Sequence, residues 1–122
     1  MKVCKIFEWD AAHQLKLPYE SKCKNMHGHT YKVEIELEGQ LNANGMVMDF
    51  SKLESILESA NFDHKTINEI EWFKETGFNP TAENLVHFIN NSINHKALKA
   101  NNIEISRIRV WETPTSYAEE NY

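Results

Sequence analysis

The densest chemistry in the sequence lies in CKNMHGHT, residues 23 to 30, where a thiol and two imidazoles fall within seven positions. His27 and His29 are two residues apart. On a strand that spacing turns both rings to one face and Gly28 to the other. They share parity with Tyr31, Val33, Ile35 and Leu37, which alternate with Lys32, Glu34, Glu36 and Glu38. This is the period of a half-buried antiparallel strand, so the two rings stand at the end of its buried face. His13 continues the parity of Val3, Phe7, Trp9 and Ala11 in an earlier segment. If the two strands are neighbours, three imidazoles converge at one end of a sheet. Three neutral nitrogens suit Zn²⁺ and leave a fourth position open, as in catalytic sites. Cys23 as a fourth ligand would close the site and make it structural. Spacing admits both readings, and also the plainer one in which His27 and His29 only close a strand.

The elements that must position these groups follow in order. After the second strand comes a turn around NANG, then MVMDF leading into SKLESILESA. There Ser51 and Glu54 have capping-box spacing, and Leu53, Ile56, Leu57 and Ala60 make a helical stripe. Residues 61 to 78 are polar and irregular apart from Trp72 and Phe73. They contain His64, and an imidazole is a side chain suited to acid–base work; an exposed histidine at a helix end is the plainer reading. NPTAENLVHFINNSI opens a second helix, with Pro80 in its first turn and Leu85, Phe88, Ile89 and Ile93 on one face. His87 and His95 are expected on the surface of that helix. The last strand is IEISRIRVWET, in which Ile108, Val110 and Glu112 share parity. Cys4 has the opposite parity to its strand's apolar face and is expected to pack as a small residue. A further strand is expected near Val47 or in TSYAEENY. Helices grouped between strand pairs indicate an α+β fold with helices on one face of an antiparallel sheet.

A chain of 122 residues fits a single domain, residues 1–122, and buries enough surface to fold without a disulfide or structural metal. Two cysteines make no secreted disulfide framework, the N-terminal segment is too polar for a signal peptide, and no stretch reaches transmembrane length. A cytoplasmic protein with reduced thiols and no membrane partner is expected. The net charge of −5 argues against nucleic acid as a partner. A small phosphorylated ligand needs only local cations, and Lys22 and Lys24 flank Cys23. Their plainer reading is a solvated loop.

AAH ending the first strand, CKNMHGH opening the second, MVMDF, FDH, NPTAENL and WETPTS occur in one order over nearly the whole chain. Together they resemble the 6-pyruvoyl-tetrahydropterin synthase / 6-carboxy-tetrahydropterin synthase family. The resemblance implies the tunnelling fold (T-fold): a four-stranded antiparallel sheet with two helices on one face. Three sheets would join as a barrel, with two trimers stacked as a hexamer and active sites between subunits. It implies Zn²⁺ held by His13, His27 and His29, and Cys23 as the proton-abstracting base. His64, paired with Asp63, would join the proton relay, and Glu112 would anchor the pterin and share in that relay. Thr81 and Glu83 would lie near the pocket, and Lys22 or Lys24 near a triphosphate. Many relatives carry arginine where this chain has Gln14, so phosphate contacts would fall to those lysines or to another subunit.

The implied reaction is a zinc-dependent lyase step. It converts 7,8-dihydroneopterin triphosphate to a 6-carboxy-tetrahydropterin with loss of acetaldehyde and triphosphate, on the route to queuosine and other 7-deazapurines. The compact chain and WETPTS favour that branch over the 6-pyruvoyl branch, which stops before acetaldehyde is lost. A non-catalytic zinc module with Cys23 as the fourth ligand is the reading from another class.

Overall fold

The two alternating segments that carry the histidines become β1, Lys2–His13, and β2, His27–Glu38, in a computed structural model that describes residues 1–122. They pair antiparallel along their whole length, from Lys2 opposite Glu38 to His13 opposite His27. Because odd residues face odd residues, the two apolar parities fall on one side of the sheet. Tyr31, Val33, Ile35 and Leu37 are fully buried there.

The remaining elements are α1, Phe50–Leu57; β3, Lys65–Thr66; α2, Glu71–Thr76; α3, Ala82–Ser92; α4, His95–Lys99; β4, Glu104–Thr113; and β5, Ser116–Asn121. The strand order is β3-β1-β2-β4-β5. The four long strands are antiparallel and β3 is a two-residue parallel addition to β1. The strand expected near Val47 or in TSYAEENY is β5, in the second of those places. Two short helices, α2 and α4, join the two that were expected.

Three local expectations are corrected. The cap of α1 is Asp49, which accepts from the Ser51 amide at 2.8 Å. Ser51 is already inside the helix, so its spacing to Glu54 forms no capping box. Pro80 precedes the first turn of α3; Thr81 is the N-cap, accepting from the Asn84 amide at 3.2 Å. His87 lies on α3, but His95 opens the separate helix α4, because the chain leaves the helix at Ile93 and restarts with an Asn94 cap.

α3 packs on β4 and β5 through Ala82, Leu85, Val86 and Ile89, and α1 adds Leu53 and Leu57 to the same core. Each large aliphatic side chain fully buried here contributes about 1.5–3 kcal/mol relative to exposure. β4 carries a bulge: Glu36 faces Arg107, whereas Leu37 faces Ile105. The extra residue, Ser106, shifts parity, so Ile105 and Ile108 both point into the core. The opposite face of the sheet is polar. Arg109 Nε meets Glu119 at 2.7 Å and Arg107 meets Glu36 at 3.3 Å. Cys4 lies half-buried near this face, its thiol pushed up chiefly by burial. No helix is long and apolar enough to cross a membrane.

Candidate metal and substrate site

Register alone brings His13 opposite His27 and places His29 one pleat further along the same face. The three rings stack edge to face, with centroids 4.6 to 5.1 Å apart. His13 is fully buried, and its Nδ1 donates to the Pro80 carbonyl at 2.7 Å. His27 Nδ1 donates to the Asn25 carbonyl at 2.7 Å. A neutral imidazole has one N–H, and in both rings it is spent on a backbone oxygen, so both Nε2 atoms carry lone pairs. Those Nε2 atoms lie 3.1 Å apart with no proton to share. His29 Nε2 is buried and without a hydrogen-bond partner. Two lone pairs this close repel each other unless a cation sits between them, and the unpartnered His29 Nε2 faces the same point. The ligand atoms of the three residues lie within 4.8 Å of one another, so the group can hold a metal ion.

Burial pushes the His13 and His29 pKa values below the ordinary 6.5, outweighing the Pro80 hydrogen bond at His13 and the charge of Glu112 at both. A metal binds only the neutral ring, and protons compete for the same lone pair. Lowering the pKa weakens the proton, not the metal. Bound metal is therefore expected to stay fully retained at pH 6.5 and to be released only below it, as measured by metal content after dialysis across a pH series. Release beginning above pH 7 would contradict this electrostatic account.

Around the nitrogens the other expected residues divide. Glu112, on the inward parity of β4, brings Oε1 to 3.6 Å from His13 Nε2 and 3.8 Å from His29 Nε2. Pairing between β2 and β4 ends at Lys32 opposite Trp111. Beyond that pair the strands part, and a cleft of about 570 Å³ opens between Gly28–Thr30 and Glu112–Pro114. Cys23 sits on a 3-10 turn, Lys22–Lys24, capped by Ser21. Its thiol is half-buried and lies outside the converging nitrogens. The Leu15 amide donates to its carbonyl at 2.8 Å, tying the turn to the chain two residues past His13.

Asp63 and His64 lie elsewhere, on the outer edge of β1. Asp10 N donates to Asp63 Oδ1 at 2.8 Å, and His64 N donates to the Asp10 carbonyl at 2.6 Å. His64 is left-handed at φ 59, and its ring lies 3.6 Å from Asp63 Oδ2 and 81% exposed. Lys24 pairs with Glu20 at 3.2 Å. Lys22 and Glu83 are exposed, whereas Thr81 is half-buried and spends its hydroxyl on the cap of α3.

Sequence reasoning missed Tyr31 as a neighbour of the site. Its hydroxyl lies 3.3 Å from His13 Nδ1, and burial raises its pKa well above the ordinary range. It also missed Asn68 and Asn79, whose amides hold the backbone beyond His13. The only signal for them is asparagine recurring in an irregular segment, once directly before proline.

The chain is similar to known proteins. The family model described as 6-pyruvoyl tetrahydropterin synthase matches residues 2–121. A Pyrococcus horikoshii protein with the provisional name 6-carboxy-5,6,7,8-tetrahydropterin synthase is 40% identical, covering 94% of this chain and 86% of its own. The Haemophilus influenzae 6-carboxy-5,6,7,8-tetrahydropterin synthase is 36% identical, over 97% of this chain and 96% of its own. Among solved structures, the Caenorhabditis elegans 6-pyruvoyl tetrahydropterin synthase superposes with a TM-score of 0.77 at 23% identity, covering 100% of this chain and 95% of that one. The sheet and helices are thus those of the T-fold.

Proposed function

The chain belongs to the 6-pyruvoyl tetrahydropterin synthase family of pterin-processing lyases, and we propose that it is the member that makes 6-carboxy-5,6,7,8-tetrahydropterin. Its substrate on this reading is 7,8-dihydroneopterin triphosphate, and acetaldehyde and triphosphate leave. The product feeds queuosine and related 7-deazapurines. The observation that carries the reading is the set of three imidazole nitrogens, two of them with tautomers fixed by backbone carbonyls, beside a cleft that holds Glu112. The names of relatives 36–40% identical support the carboxy branch.

His13, His27 and His29 would hold Zn²⁺. A tetrahedral zinc with bonds of about 2.0–2.1 Å separates its ligand nitrogens by roughly 3.3 Å, close to the 3.1 Å between His13 and His27 Nε2. When bound, the ion polarises the oxygens of the substrate side chain and acidifies the neighbouring C–H. Cys23, as thiolate, takes that proton. Glu112 accepts the amino and ring N–H of the pterin in a two-point contact, which fixes the ring edge. Asp63 orients His64, which moves protons to and from the side-chain oxygens. His64 is exposed on the outer edge of β1, apart from the histidine cluster of its own chain. This supports a homo-oligomer, a hexamer on the family pattern, in which the relay serves a neighbour's site. Lys22 and Lys24, with Thr81 and Glu83 near the pocket, complete the proposed substrate contacts.

The deciding experiment incubates zinc-loaded protein with 7,8-dihydroneopterin triphosphate and identifies the products by mass. Acetaldehyde and 6-carboxy-tetrahydropterin in equal amounts are expected. A 6-pyruvoyl product without acetaldehyde would move the chain to the other branch. No turnover with zinc bound would leave the non-catalytic zinc module.

A further inference from the structure

We propose that Asn68 and Asn79 are positioning residues for Cys23, acting through the three-residue span Gln14–Lys16. The inference rests on the reading of Cys23 as the base. β1 ends at His13, yet the next residues do not run free. Asn68 Oδ1 accepts from Gln14 N at 2.9 Å, and Asn68 Nδ2 donates to Gln14 O at 3.0 Å. Asn79 repeats the pattern on Lys16, at 2.9 Å for each bond. Each amide exchanges a donor and an acceptor with one backbone residue, as a paired strand residue does. Residues 14 and 16 turn these groups to one edge. Residue 15 turns its N–H to the other, where it meets the Cys23 carbonyl at 2.8 Å.

The Cys23 backbone is therefore tied to His13 across two covalent steps and one hydrogen bond, in a span gripped from behind by two side chains. Asn79 links the two halves of the site. The next carbonyl in the chain, Pro80 O, accepts from His13 Nδ1, and Asn79's own carbonyl accepts from Asn84 Nδ2 at 2.9 Å. One dipeptide thus holds both a metal-binding ring and the span to which the Cys23 turn is tied.

The test uses the full metal-loaded chain with Asn79→Ala, Asn68→Ala and Asn79→Asp, the last keeping the acceptor toward Lys16 N. Four quantities are measured: metal content, hydrogen exchange of the Leu15 amide, alkylation of Cys23 resolved from Cys4 by peptide mass, and kcat and KM. Asn79→Ala is expected to keep one metal per chain and KM within about twofold, while kcat falls roughly 10- to 100-fold, the scale of a misplaced reacting group. Leu15 should lose protection and Cys23 should alkylate faster, with Asn79→Asp recovering part of each. Unchanged protection and unchanged kcat in both alanine variants would overturn the proposal. So would a fall in kcat that only tracks lost metal. If Asn79→Ala does not fold, Asn68→Ala decides by the same readings. If the wild-type chain turns over no pterin, the parent reading fails; retained Leu15 protection would then overturn the clamp, and lost protection with faster alkylation would uphold it.

Discussion

Cys23→Ala is expected to keep its metal and its fold while kcat drops about 10²–10⁴-fold, the usual worth of a positioned general base. Metal retention follows because the converging atoms are three imidazole nitrogens, and the thiol is not among them. Fold retention follows because the half-buried Cys23 supports the structure through its backbone: Ser21 Oγ accepts from its N–H at 3.2 Å and Leu15 N donates to its carbonyl. Alanine keeps both bonds. The competing reading makes Cys23 a fourth ligand, and the same substitution would then release zinc and unfold the site. Metal content and thermal midpoint, measured beside turnover, separate the two. Loss of zinc in step with activity would sink the assignment of Cys23 as a base.

His13→Ala should do more damage than any other single change at the cluster. It removes a ligand, so metal binding and turnover are both expected to vanish. It also strips the donor from the Pro80 carbonyl, leaving a buried acceptor unpaired at a cost of about 1–3 kcal/mol, with a cavity in a fully buried position added to that. His27→Ala is the matched comparison. It also abolishes metal binding, but its partner, the Asn25 carbonyl, is an exposed contact that water can satisfy. Urea midpoints taken without metal should therefore fall clearly for His13→Ala and little for His27→Ala. Equal midpoints would show that the Pro80 contact contributes nothing to holding α3 against β1.

Parity carried far in the sequence. The alternation of Tyr31 to Leu37 and the odd positions of β1 were enough to place three histidines on one face, because antiparallel pairing brings like parity together. The same rule stops at the Glu36/Leu37 bulge, where one extra residue reverses which side chains of β4 face in. β5 was hard to read because only Ala118 of its six residues packs against the core. Residues 61 to 78 were illegible for a different reason. Their elements, β3 of two residues and α2 of six, are too short to show a period, and paired side chain–backbone bonds such as Asn68 to Gln14 have none. The role of Cys23 came from family resemblance, since spacing alone left it free to be ligand or base.

The groups that occupy the outer edge of β1 also govern what the sheet can join. The outer edge of β1 offers unpaired backbone groups only from Lys2 to Trp9. Asp10 is taken by Asp63 and His64, Ala11 and Ala12 by β3, Gln14 by Asn68 and Lys16 by Asn79. A strand arriving from another chain can zip against Lys2 to Trp9 and no further. Asp63, His64 and β3 are thus a mechanical stop, with the clamps behind them: together they limit how far an incoming strand can slide and so restrict the registers in which it can pair.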